Sequence, residues 1–207
     1  MATTKSLSIV RGKTLQQLVR WETTPVVRKA ITAISTATGA PRLTVTGHGL
    51  TNGWRSACIG IKGMKELNAQ DPAKLRDSDY YEVTVIDADT IEFNEVNAAD
   101  FTTYTSGGFI VYNTAQDLAG YTAEVVIKDK VGGTILLSSR PADAPLNLIT
   151  ATVDNDAKTI TISISAVTTA ALTWKKGVWE VEMHSPTNVV TSLIAPSPVT
   201  VGDEIAT

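Results

Sequence analysis

The chain has 207 residues, a formal net charge of −3, 43% apolar residues and only 19% charged ones; that is ample material for a packed core but too little for a multidomain enzyme. No clustered excess of Lys and Arg is present to grip phosphates, which sets nucleic-acid binding aside. No apolar run approaches the ~18 residues of a membrane-spanning helix, and residues 1–13 hold no apolar stretch of signal-peptide length.

Thirty residues are threonine, and β-branched side chains favour a pleated, half-buried backbone. The predicted elements are accordingly strands. Leu15 to Trp21 reads as a strand ending near Pro25. Arg42 to Thr46 alternates and is broken by Gly47, Gly49 and the Asn52-Gly53 turn; Trp54 to Ile61 follows. Met64 to Asp79, with Pro72 inside it, lacks pleated periodicity and reads as a loop with a helical turn. Tyr80 to Ile86 and Thr90 to Phe93 form a hairpin around Asp87 and Asp89, whose short side chains cap turn backbone.

In the second half, Tyr121 to Lys128 puts Tyr121, Ala123, Val125 and Ile127 on one face. Gly132-Gly133 turns it into Thr134 to Leu137. Leu146 to Val153 meets Lys158 to Ile164 through Asp154 and Asp156, with Ile160, Ile162 and Ile164 sharing a face. Ala166 to Trp174 is the one helical turn expected. Val178 to Met183 and Val189 to Ile194 close a last hairpin around residues 185–188. Many short strands at this spacing predict an all-β protein built as a sandwich or barrel.

Composition shifts near Thr32 and near Gly107-Gly108, and Thr105 to Gly108 reads as a linker. Two organisations are compatible with this. In one, an outer β domain of residues 1–30 plus 109–207 is interrupted by an inserted module, residues 31–108. In the other, two domains follow in tandem. Periodicity alone does not choose between them.

The search for chemistry returns little. Gly12-Lys13-Thr14 ends like a phosphate loop, but Leu7 stands where the loop's first glycine belongs and no helix pattern follows. The Asp pairs 87/89 and 154/156 read as turn residues rather than as calcium ligands, which need more oxygens at fixed spacing. Cys58, the single cysteine, reads as a small buried hydrophobe. His48, flanked by glycines, reads as a turn residue that donates a backbone-ordering hydrogen bond. His184 lies near no nucleophile motif. A paired-carboxylate glycosidase geometry is invisible in sequence. The expectation is no catalytic, cofactor or metal site. Trp21 and Trp179 read as core; Trp54 reads equally as core or as an interface anchor.

Residues 31–108 carry Leu43 to Gly53 (LTVTGHGLTNG), Ile59 to Asn68 (IGIKGMKELN), Tyr81 to Val85 (YEVTV), Asp89 to Phe93 (DTIEF) and Tyr104 to Gly108 (YTSGG). This stretch resembles the small β-barrel module named after the first catalytic-cysteine half-domain of ubiquitin-activating enzymes. That module is found as an accessory in phage proteins, so the resemblance implies no ubiquitin chemistry; the match departs between Ala69 and Asp79. The flanks carry Ile9 to Thr14 (IVRGKT), Asp117 to Ala123 (DLAGYTA), Gly132 to Leu137 (GGTILL), Ile160 to Ile164 (ITISI), Thr169 to Leu172 (TAAL) and Trp179 to Met183 (WEVEM). They resemble the N-terminal Ig-like β-sandwich of tailed-bacteriophage upper baseplate proteins, and the order of the motifs favours the inserted arrangement.

The resemblance implies a non-enzymatic structural virion protein, made in the host cytoplasm. It would act as a tail or baseplate adaptor that positions fibres or other subunits, with other phage structural proteins and copies of itself as partners. Neither a collagen-like repeat nor a heptad pattern is present, so the expectation is not a long fibre. The alternatives are a capsid or neck decoration protein of the phage head, and a glycan-binding module. The candidate interaction residues are Trp54, Tyr80, Tyr81 and Tyr104 as an aromatic platform, with Pro196 and Pro198 in a contact-making C-terminal segment, residues 195–207. A second contact-making segment is expected at residues 1–8.

Overall fold

The computed structural model describes residues 3–203. Its first strands are β1 (Leu7–Val10), β2 (Leu15–Arg20), β3 (Glu22–Ala30), β4 (Ala33–Ser35), β5 (Arg42–Thr44) and β6 (Arg55–Ile59). Then come β7 (Tyr80–Glu82), β8 (Thr84–Asp87), β9 (Thr90–Glu92), β10 (Phe109–Ala115), β11 (Thr122–Lys128) and β12 (Ile135–Ser138). The last are β13 (Ile149–Asp154), β14 (Thr159–Ile164), β15 (Lys176–His184) and β16 (Val190–Gly202), with one short helix, α1 (Ala166–Ala170), before β15. The protein is all-β.

The chain divides into two compact units, one made of residues 1–21, 117–155 and 159–207, the other of residues 22–116 and 156–158. The discontinuous unit is a sandwich. One sheet has the order β1-β16-β15-β11-β12 and the other β13-β14-β2. Period-two alternation makes the inner faces: Val125, Ile127, Trp179, Val181 and Met183 from the larger sheet share a core with Ile149, Ile160, Ile162 and Ile164 from the smaller. Helix α1 begins where the Ser165 hydroxyl accepts the Thr168 backbone N–H at 3.1 Å. Thr169, buried inside it, donates to the Lys13 carbonyl at 2.8 Å.

The two ends of this unit are stitched to each other at one side of the larger sheet. Strand β16 lies between antiparallel β15 and parallel β1, with Leu7 opposite Val199 and Ile9 opposite Val201. Proline cannot donate to a ladder, and around Pro196-Ser197-Pro198 the β15–β16 register shifts. The Ser197 hydroxyl fills in, accepting the Lys5 N–H at 3.1 Å and donating to the Ala195 carbonyl at 2.7 Å. The Trp179 indole N–H donates to the Lys5 carbonyl at 2.7 Å. The segments expected to make contacts pair within their own sheet, Thr3 with Ile194 and Leu7–Val10 with Val199–Gly202; Met1, Ala2 and residues 204–207 lie outside the described residues.

The second unit has two four-stranded sheets, β3-β10-β6-β7 and β4-β5-β9-β8. Strand β3 runs into β4 across two residues, and β7 into β8 across Val83 alone. Both sheet edges are thus shared, and six strand paths close into a small barrel around Leu43, Trp54, Leu67, Ile91, Phe93 and Ile110. Strand β3 passes Pro25 because the pairing with β10 jumps from Thr23–Thr114 to Val26–Asn113, leaving Thr24 and Pro25 in a bulge. The stretch after Met64 makes short 3-10 turns at Lys65–Leu67 and Asp77–Asp79. The Asn68 side chain clamps it by accepting from the Ile61 N–H at 2.9 Å and donating to the Ile61 carbonyl at 3.0 Å. Gly63 is required: at its φ of +85° an added Cβ would lie 2.1 Å from the Thr103 carbonyl oxygen.

The barrel unit is longer at both ends than the 31–108 expected. Strands β3 and β10 lie outside that range and pair with each other, and β10 also pairs with β6. The linker reading of residues 105–108 stopped one strand short.

Removing residues 1–8 takes away Leu7 and half of the edge strand together with the acceptor for Trp179, so the sandwich should lose stability by about 3 kcal/mol or more. A urea titration followed by tryptophan fluorescence checks this; an unchanged midpoint would contradict the stitched edge.

Candidate functional site

The predicted aromatic platform is not assembled. Trp54 is 2% exposed in the barrel core, its indole N–H donating to the Asn113 carbonyl at 3.0 Å. Tyr80 and Tyr81 are consecutive in β7, so the pleat sends them to opposite faces. Tyr81 packs on Phe93 inside, with ring centroids 5.0 Å apart. Tyr80 lies under the Arg55 guanidinium, 4.6 Å from the ring centre. The Tyr104 hydroxyl is engaged near the carbonyls of Ile31 and Gly107, at 3.3 and 3.2 Å. Only Pro196 and Pro198 come together, exposed on the outward side of β16.

The other singled-out residues serve backbone. His48 is buried, accepting the Leu50 N–H on Nδ1 at 3.0 Å and presenting Nε2 to the Asp87 carbonyl at 2.8 Å. That pattern requires the neutral Nε2–H tautomer. The Tyr112 hydroxyl donates to the His48 carbonyl. Asp87 accepts the Asp89 N–H at 2.8 Å, which holds its carboxyl below the ordinary range, and Asp89 accepts the Gly47 N–H at 2.7 Å. Lys13 and Thr14 lead into β2, a strand rather than the helix a phosphate loop needs. Burial pushes the Cys58 thiol up to about 12.

The chemically richest place is one the sequence reading passed over: the outward face of the five-stranded sheet. Since Val125, Ile127, Trp179, Val181 and Met183 point inward, the alternate residues of β11 and β15 point out. There Glu124 stands directly opposite Glu182. Like charges facing each other across a ladder repel, and Arg140 lies between them, its Nε 2.7 Å from Glu124 Oε2 and Nη2 3.5 Å from Glu182 Oε2. The Arg140 backbone N–H is in turn fixed on the Ser138 hydroxyl at 2.9 Å, just before the 3-10 turn Pro141–Asp143. His184, two residues beyond Glu182 and so on the same face, brings Nε2 to 3.5 Å from Glu124 Oε2.

Farther along the same face Lys128 and Glu180 pair at 3.7 Å beside a shallow depression of about 90 Å³ lined by Val126, Val131, Val178 and Pro196. The period-two run of Glu180, Glu182 and His184 was the available sequence signal. Nothing in it announced Glu124 or Arg140 as partners.

Two outcomes follow. Arg140→Ala should cost about 1 kcal/mol, and adding Glu182→Gln should recover part of it by removing one of the opposed charges; a urea double-mutant cycle measures both. Because Cys58 stays a neutral, enclosed thiol at pH 8, Ellman's reagent should label it only as fast as the barrel opens. Rapid labelling of native protein would contradict its placement.

A scan of the chain against protein-family models finds no match, and a search against curated proteins finds none at a significant level.

Proposed function

We propose that this chain is a non-enzymatic structural protein of a tailed-bacteriophage virion, an adaptor at the tail or baseplate that holds other subunits in position. The observation that carries the reading is the agreement between two independent divisions of the chain. The motifs resembling the baseplate sandwich, Ile9 to Thr14 and those from Asp117 onward, fall in the discontinuous unit, while those resembling the accessory barrel, Leu43 to Gly108, fall in the other.

The side-chain chemistry suits such a role. Both units invest their polar groups in structure: His48 bridges turns, Ser197 mends a ladder and Trp54 and Trp179 cap carbonyls. In this reading the work is done by rigid surfaces. The outward face of the five-stranded sheet, with its charged half at Glu124, Glu182 and Arg140 and its apolar half at Val131, Val178 and Pro196, is the contact surface. Individually weak contacts become strong when particle symmetry repeats them, because each further contact is then intramolecular. The partners are other phage structural proteins and further copies of this chain.

The test is antibody labelling of virions produced from a genome that encodes this chain, viewed by negative-stain electron microscopy beside a deletion strain. Gold at the tail tip, lost in the deletion strain, is expected. Gold on the capsid or neck would replace the adaptor by a head decoration protein, and unlabelled particles containing none of the chain would overturn the virion assignment.

A further inference from the structure

We propose that Glu124, Glu182 and His184 form a binding site for one divalent cation of zinc-like chemistry, clamping β11 to β15 on the outward face of the sandwich. One ligand atom from each residue can be chosen so that all lie within 4.8 Å of one another. The His184 Nε2 to Glu124 Oε2 separation is 3.5 Å, close to the edge of a tetrahedron with metal–ligand bonds of about 2.0 Å, which is roughly 3.3 Å. All three residues stand on paired strands rather than in loops, and the Glu124–Glu182 register fixes their spacing before any ion arrives.

A second observation comes from the histidine. The His184 side chain is 29% exposed, but its Nε2 atom is enclosed and makes no hydrogen bond although it lies 3.5 Å from a Glu124 carboxylate oxygen. A buried ring nitrogen without a partner loses the full cost of its desolvation, and a metal ion would supply what it lacks. One imidazole and two carboxylates match zinc, with water at the fourth position. They give calcium too few oxygens and include a nitrogen that magnesium does not favour.

Arg140 is the cation present at this place in the structure. Its side chain is 30% exposed and bonded only at its head to the two carboxylates, so it can swing outward when a doubly charged ion takes over the neutralisation. The ion and Arg140 thus compete for the same oxygens, and this competition gives the proposal its signature. Removing a ligand weakens binding, whereas removing Arg140 strengthens it.

The experiment uses the untagged full chain, stripped with chelator and titrated with zinc chloride by isothermal calorimetry, with thermal unfolding in parallel. One equivalent of zinc should bind with micromolar affinity and raise the melting temperature, and calcium or magnesium at equal concentration should leave it unchanged. His184→Ala and Glu182→Gln should each abolish the zinc response. Arg140→Ala should bind zinc about tenfold more tightly, the loss of one competing charge-assisted hydrogen bond. Cobalt substitution should give the intense visible bands of a tetrahedral site in wild type and not in His184→Ala. Absence of heat and of thermal shift in the wild type overturns the proposal. So does zinc binding that persists in both ligand variants, or that weakens in Arg140→Ala.

Discussion

Strand β16 is the constraint on which the sandwich depends. It is flanked on one side by β15, its hairpin partner, and on the other by β1, almost the whole chain away. The hairpin is cheap to close, but the parallel pairing with β1 requires the two ends of the chain to meet. Loop-closure entropy grows only logarithmically with length, so that meeting is affordable once Leu7, Ile9, Val199 and Val201 can bury one another. It cannot precede the rest of the sheet, however, because an isolated four-residue strand has no stability of its own. The N-terminal strand thus depends on the rest of the sheet for its place, and the Lys5 carbonyl held by Trp179 helps to fix it there.

The barrel unit solves the opposite problem. Its strands are three to nine residues long, too short to build two stable open sheets with four free edges. Continuing β3 into β4 and β7 into β8 removes those edges, since each such path ladders with one sheet at its beginning and with the other at its end. The bends between them fall at Ile31-Thr32 and Val83, where the Ile31 N–H bonds the Gly108 carbonyl and the Val83 N–H the Trp54 carbonyl. Closure also explains why Trp54 is interior: the turn at Asn52-Gly53 is tied to Val83, which points the following residue into the barrel rather than out of it.

Much of the architecture was legible in sequence wherever one face of a strand is wet. Ile160, Ile162 and Ile164 on β14 alternate with Thr161 and Ser163 and are found on the inner face, as are Val125 and Ile127 on β11, although Val126 between those two is apolar and buried as well. The same rule placed Trp179. It failed at β10, where Ile110, Val111 and Tyr112 are buried in succession because the strand lies between β3 and β6; without alternation, and preceded by two glycines, it looked like the end of a linker. It failed again at β3, where a bulge carries the strand past a proline that normally ends one. The Glu124, Arg140, Glu182 and His184 cluster was illegible for another reason. Residues far apart in the chain meet there only through strand register, and register is a property of the whole sheet.

The first and last rungs of the barrel unit hold a wider implication. Glu22 and Ala115 are ladder partners, so the main segment of this unit begins and ends at neighbouring points, with roughly 5 Å between the two α-carbons. A folded body whose ends emerge side by side can be carried within another chain at the cost of one short interruption, so this unit has the form of a cassette that evolution can move between host scaffolds.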